Sequence, residues 1–149
     1  MRQTLTLSGL VGMLASVLLT FVAPSYADTI QFNADLKGCS EVPPNQTTGS
    51  RSLTAAFDTV TRQLSWKGSF SGLSGAANAA HFHGPSDPGK NAGVMVWIST
   101  KGTPLNSPFE GSATLAEDQV SELMGGRLYV NVHTTAHPGG ELRGQLTKM

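Results

Sequence analysis

The chain has one cysteine, Cys39, among 149 residues. An intramolecular disulfide is therefore excluded, and with it the class of small scaffolds that replace a core by cross-links. Charge of either sign is not in excess: 10 Lys and Arg stand against 10 Asp and Glu. Without a basic patch or an acidic tail, nucleic acid is not an expected partner. Helical periodicity is nearly missing, so the crossovers that build a parallel sheet are missing too. There is no Gly-x-Ser-x-Gly elbow to support a hydrolase triad. No glycine-rich turn joins a strand to a long helix, as a dinucleotide site requires.

A long apolar run occurs once, near the start, as LTLSGLVGMLASVLLTFV. It follows Met1-Arg2-Gln3 and leads to the small-x-small site Ser25-Tyr26-Ala27, the pattern of a signal peptide cut after Ala27. No cysteine follows the run closely, so lipid attachment there is not expected. Residues 28–149 then form a single exported domain, periplasmic or extracellular, with no second run able to span a membrane. Its length allows one modest core. Burial is the simplest expectation for the lone thiol of Cys39.

Apolar residues alternate along most of this domain. Ile30, Phe32, Ala34 and Leu36 share one face of a strand; Leu53, Ala55 and Phe57 share a face of the next. Leu64, Trp66, Gly68 and Phe70 follow after a short turn, which predicts a hairpin. Ala80 and Phe82 face one way on a strand over 79–83. Val94, Val96 and Ile98 oppose Met95 and Trp97 on another strand; being apolar on both faces, it is expected to be central or covered. Residues 109–115, 128–133 and 142–146 complete the strands. The helical candidate is EDQVSELM, with a capping box from Thr114 to Glu117 before it and Gly125-Gly126 after it. About seven strands with turn-rich links and one short helix predict an all-β sandwich or small barrel.

The chemistry centres on histidine. In AAHFHG, His81 and His83 are two residues apart, so on a strand they point the same way, about 6.6–6.8 Å apart along it. Two imidazoles so placed can converge on one metal ion. His133 has the same facing as Asn131 on its own strand and supplies a third nitrogen if the two strands are neighbours. Imidazole suits copper, zinc, nickel or iron, and copper binds most tightly in the Irving–Williams order. His137, beyond a tight loop, and Cys39, as a thiolate, are the further candidate ligands. The alternative is that the histidines are neutral and hydrogen-bond the loops around them.

Other groups have structural readings. Glu41 and Arg143 are expected to form a salt bridge, and Glu41 with Glu141 is a weaker candidate for a catalytic acid pair. Trp66 and Trp97 are expected in the core. Asn45-Gln46-Thr47 fits the glycosylation pattern.

FNADLKGCSEVPP, AAHFHG and LYVNVHTTAHPGGELRGQL together resemble the CHRD domain, the module found in chordin and in many secreted microbial proteins. The likeness runs over nearly the whole of residues 30–146 and is carried by Glu41 to Pro44, His81, His83, Gly84, Asn131, His133, Pro138 to Glu141, Arg143 and Gly144. One position departs from the family pattern: His137 stands where the family has Asn. The resemblance implies a Greek-key, immunoglobulin-like β-sandwich and leaves the biochemical role poorly defined. Chordin's cysteine-rich binding modules are missing, so growth-factor antagonism is not implied. His81 and His83 are also similar to the His-x-His pair of copper-zinc superoxide dismutases, but that enzyme's full zinc-ligand set and disulfide are not in this chain.

The expectation is thus an exported domain that binds copper through His81, His83 and His133, with Asn131 or Glu141 fixing an imidazole tautomer. The rival is a structural or adhesion module, with another envelope or extracellular protein as partner. There, the histidines, Glu41, Glu141 and Arg143 form one polar network. An oxidase or dismutase is a third, weaker reading.

Overall fold

The computed structural model describes residues 28–100 and 102–149. The expected signal peptide, residues 1–27, lies outside the described residues. Among those described, no helix is long and apolar enough to cross a membrane.

The alternating segments form strands. β1 (Thr29–Lys37), β2 (Ser50–Asp58) and β3 (Gln63–Gly68) are followed by β4 (Ala77–His83), β5 (Val94–Trp97) and β6 (Phe109–Thr114). After helix α1 (Glu117–Met124) come β7 (Tyr129–Thr134), β8 (Leu142–Gln145) and β9 (Thr147–Lys148). All join one antiparallel sheet in the order β5-β4-β7-β8-β1-β2-β3-β6, with β9 also paired to β1.

The sheet curls until its two ends meet. Trp66 on β3 packs edge-on against Phe82 on β4, ring centroids 5.1 Å apart. An isolated bridge, Ala77 to Leu105, ties β4 to the segment leading into β6. The result is a nearly closed small barrel, which removes most of the sheet's exposed edge. Every second residue fills it: Phe32, Ala34, Leu36, Leu53, Phe57, Leu64, Ala80, Phe82, Val130, Val132 and Leu142 are all buried. Period-two patterning therefore sends Ala80 and Phe82 inward and His81 and His83 outward.

Three details differ from expectation. β5 is an edge strand that pairs with β4 alone. Val96 reaches the core, but a bulge leaves Val94 41% exposed, and Trp97 is 50% exposed on the outer face. Trp97 is thus not a core residue, whereas Trp66 is. The helix ends where expected, but its cap is different: Gln119 Oε1 accepts from the Ala116 amide at 2.9 Å, in place of a Thr114–Glu117 box. The last strand breaks at Leu146, whose amide donates to the Leu128 carbonyl at 2.9 Å before β9 turns onto β1.

Candidate metal centre

β4 lies beside β7, with His81 opposite Asn131 and Ala79 opposite His133. This adjacency brings the three imidazoles together. One nitrogen from each of His81, His83 and His133 lies within 4.8 Å of the others. His81 Nδ1 is 3.1 Å from His133 Nε2. Two nitrogens about 2.0–2.1 Å from one metal ion, at roughly a right angle or a little wider, stand about 2.9–3.3 Å apart. The observed spacing suits either a hydrogen bond or two adjacent ligands.

Main-chain carbonyls fix the rings from behind. His83 Nδ1 is 3.0 Å from the Ala92 oxygen, and His133 Nδ1 is 3.0 Å from the Pro138 oxygen. A carbonyl only accepts, so both Nδ1 atoms carry protons and both Nε2 atoms hold lone pairs. His81 Nδ1 must then donate to His133 Nε2, which leaves His81 Nε2 unprotonated as well. His81 Nε2 and His83 Nε2 are buried and have no hydrogen-bond partner. Two buried lone pairs without a donor are costly in any core and call for a physical reason.

Around the trio stand aromatic and charged groups. Trp97 packs edge-on against His81, centroids 4.4 Å apart. His83 stacks on Tyr129, 5.0 Å away and 5° from parallel, and the Arg143 guanidinium covers the other face of Tyr129 at 3.5 Å. Arg143 also donates to Asn91 Oδ1 at 2.9 Å and to the Lys90 carbonyl. The Tyr129 hydroxyl accepts from the Ala92 amide at 3.1 Å. Loop 84–93 is held over the site by these contacts, and through it so is His83.

The surroundings keep the histidines neutral. Burial lowers the His81 pKa to about 4, helped by His133 and then His83. Burial also lowers His83, against the hydrogen bond to Ala92 and with help from His133 and Arg143. His133 is lowered by burial against its bond to Pro138. All three thus stay in the form that can bind a metal ion below the pH at which a free imidazole protonates.

Several expected roles are corrected. Cys39 is exposed and is not part of the cluster, nor is His137. His137 caps the 134–140 loop with its main chain: its amide donates to Thr134 Oγ1 at 3.2 Å and its carbonyl accepts from Gly140 at 3.1 Å. Arg143 makes no salt bridge with Glu41; its donors are taken up by loop 84–93. Neither Asn131 nor Glu141 bonds an imidazole. Asn131 Nδ2 donates instead to Glu41 Oε1 at 2.5 Å. Glu141 receives Thr47 Oγ1 and the Ser74 amide on Oε1, and Ser74 Oγ and Thr134 Oγ1 on Oε2, all at 2.6–2.7 Å. The two carboxylates serve separate networks, which argues against a paired acid and base. The Asn45 amide donates to the Glu141 carbonyl at 3.0 Å and Thr47 binds the Glu141 carboxylate, so this sequon is part of the fold.

The buried Glu41 gives one prediction here. Burial raises its pKa to about 7, against the lowering effects of Arg143, the Val42 amide and Asn131. Folded protein then holds a proton that unfolded protein has lost between pH 4.5 and about 7. Glu41 therefore favours folding below 4.5, and that contribution is lost as pH rises through 7. Glu41→Gln keeps an acceptor for Asn131 but cannot ionise. In metal-free protein its urea midpoint should rise relative to wild type between about pH 5 and pH 8. A difference that stays flat over this range would contradict a buried, protonated Glu41.

The fold and site define an all-β barrel domain carrying a convergent histidine trio on the outer face of one wall. Comparison with protein families is specific: the model of the CHRD domain matches residues 32–146, and the chain belongs to that family. No curated protein and no solved structure matches the chain. Tyr129 and Trp97 are parts of the site that residue type and spacing alone did not single out.

Proposed function

We propose that this exported domain binds one transition-metal ion, copper before zinc, through His81, His83 and His133. The observation that carries the reading is the pair of buried, partnerless nitrogens, His81 Nε2 and His83 Nε2, beside a third imidazole. A cation among the three rings, bound by one nitrogen from each in place of the His81–His133 hydrogen bond, would satisfy lone pairs that no protein donor reaches. The outer nitrogens of His83 and His133, tied to carbonyls, orient the rings as the outer contacts of metal-binding histidines commonly do. All-imidazole ligation favours copper over zinc by the Irving–Williams order. Export places the domain in the periplasm or outside the cell.

The structural reading keeps one specific support. The charged groups do pin loops: Glu141 joins segments 47, 74 and 134, and Arg143 holds residues 90 and 91. That network does not take in the histidines, whose partners are carbonyls and one another. A domain that only pinned loops would have no use for two uncapped imidazole nitrogens.

The test is a titration of untagged, metal-free protein with Cu(II), read by metal analysis and by electron paramagnetic resonance. One equivalent with nitrogen hyperfine structure is expected. The variant with His81, His83 and His133 all changed to Ala should bind none, and His137→Ala should bind as wild type does. Full binding by the triple variant sinks the assignment.

A further inference from the structure

The trio is not enclosed on every side. A cavity of about 390 Å3 opens against it, lined by Asn78, Ala79, His81, Trp97, Gly102, His133 and Pro138. Two of the three histidines face this cavity. The third, His83, lies behind, under the Tyr129 ring and against Ala92. His81 is only 7% exposed and its Nε2 is buried and unpartnered, so a histidine that lines the cavity also carries an uncapped nitrogen.

The walls have a definite chemistry. None of the described lining residues carries a formal charge when the imidazoles are neutral. Trp97, half exposed and standing edge-on to His81, offers the free part of its indole to the cavity, and Pro138 and Ala79 add apolar surface. Asn78 is the one side-chain amide. Among the described lining residues, a carboxylate or phosphate would find no cationic side chain. A flat, neutral ring would find an aromatic wall on which to pack, worth a few-fold to about tenfold in affinity.

Resting on the metal reading above, we infer that the bound ion keeps one coordination position open to this cavity, and that the position takes a neutral aromatic nitrogen heterocycle. Such a ligand brings one nitrogen donor to the ion and lays its ring along Trp97. No bond within the ligand is made or broken. Three protein ligands with an exchangeable fourth is the arrangement that distinguishes a ligand-accepting centre from a closed structural one.

The probe is imidazole, added to protein carrying one equivalent of Cu(II) confirmed by metal analysis, with acetate as the anionic comparison. Saturable change in the paramagnetic resonance and visible spectra with imidazole is expected, with the copper staying on the protein and acetate binding at least tenfold more weakly. In samples matched for bound copper by metal analysis, Trp97→Ala should weaken imidazole binding about five- to tenfold, and Trp97→Phe, which keeps a flat ring, should largely restore it. Loaded protein whose spectra ignore imidazole overturns the open position while leaving the metal reading standing. Equal imidazole affinity in wild type and Trp97→Ala, or acetate binding as well as imidazole, overturns the role of the cavity walls. Failure to take up copper at all removes the metal reading and this inference together, and it is visible in the metal analysis before any imidazole is added.

Discussion

Glu141→Ala should cost about 3–5 kcal/mol of stability, a large part of the roughly 5–15 kcal/mol that holds an ordinary domain together. Glu141 has no exposed surface. It lies just before β8 and receives four hydrogen bonds, three from Thr and Ser hydroxyls and one from the Ser74 amide. Among the described residues no cation pairs with it, so neutral dipoles alone hold a buried anion. Removing the carboxylate breaks all four bonds, and it leaves the Ser74 amide, which cannot rotate away, without a partner. At about 4 °C per kcal/mol for a domain of this size, the melting temperature should fall by about 12–20 °C in a circular-dichroism melt. Thr47→Ala removes one of the four donors and should cost about 1 kcal/mol. A loss for Glu141→Ala no larger than for Thr47→Ala would show that the network does not bear on folding.

The same carboxylate sets an acid limit. Burial raises the Glu141 pKa, but the bonds from Thr134, Ser74 and Thr47 outweigh it and bring the value down to about 2. A depressed carboxylate contributes stability that is complete above its unfolded value of 4.5 and is lost as pH falls through about 2. Wild type should therefore weaken across that window, and the Glu141→Ala variant should lack this part of the slope. The network also bears on the histidines: Thr134 follows His133 directly, and its hydroxyl is fixed by Glu141.

Much of the barrel was legible because its strands are half-buried. Phe32, Ala34 and Leu36, or Leu53, Ala55 and Phe57, alternate with polar neighbours, and period two then assigns both faces. The same rule put His81 and His83 outward together. Convergence with His133 needed more, since it depends on β4 lying beside β7, a pairing between segments about fifty residues apart that local pattern does not encode. β5 misled because Trp97 is apolar for a reason other than a core: it packs on His81. The oxygens of Ala92 and Pro138, which orient two imidazoles, are main-chain groups, and no residue type announces them. The partners of Glu141 were hidden likewise, since Thr47, Ser74 and Thr134 look like ordinary loop and strand residues until the fold collects them. An Arg143–Glu41 pair was the natural expectation from opposite charges. The structure spends the guanidinium on Tyr129 and loop 84–93 instead, and burial raises the Glu41 pKa to about 7, so that its carboxyl is only part ionised near neutral pH.

Copper should stabilise the wild-type domain by about 4 kcal/mol when free metal exceeds its dissociation constant a thousandfold, raising the melting temperature by about 15 °C. The gain arises because the folded chain presents His81, His83 and His133 together, while the unfolded chain binds the ion only weakly through separated imidazoles. It should vanish in the triple alanine variant and persist in His137→Ala and in a variant lacking Cys39, since neither side chain belongs to the trio. Its pH dependence follows from protonation. Copper needs neutral imidazole, and an ordinary histidine is lost to protons below 6.5. Here all three values are lowered, His81 to about 4, so protons compete less than they would at exposed histidines. The metal-free fold itself follows the same sign: depressed histidines give stability that is present above 6.5 and is lost as pH falls toward 4. The thermal shift given by copper should therefore survive at about pH 5.5, where a site of unperturbed imidazoles has lost most of its affinity, and should collapse near pH 4. Scanning calorimetry of metal-free and copper-loaded protein across this range makes the comparison. A shift already gone at pH 6, or one of equal size in the triple variant, would mean that the ion is held by groups other than these buried rings.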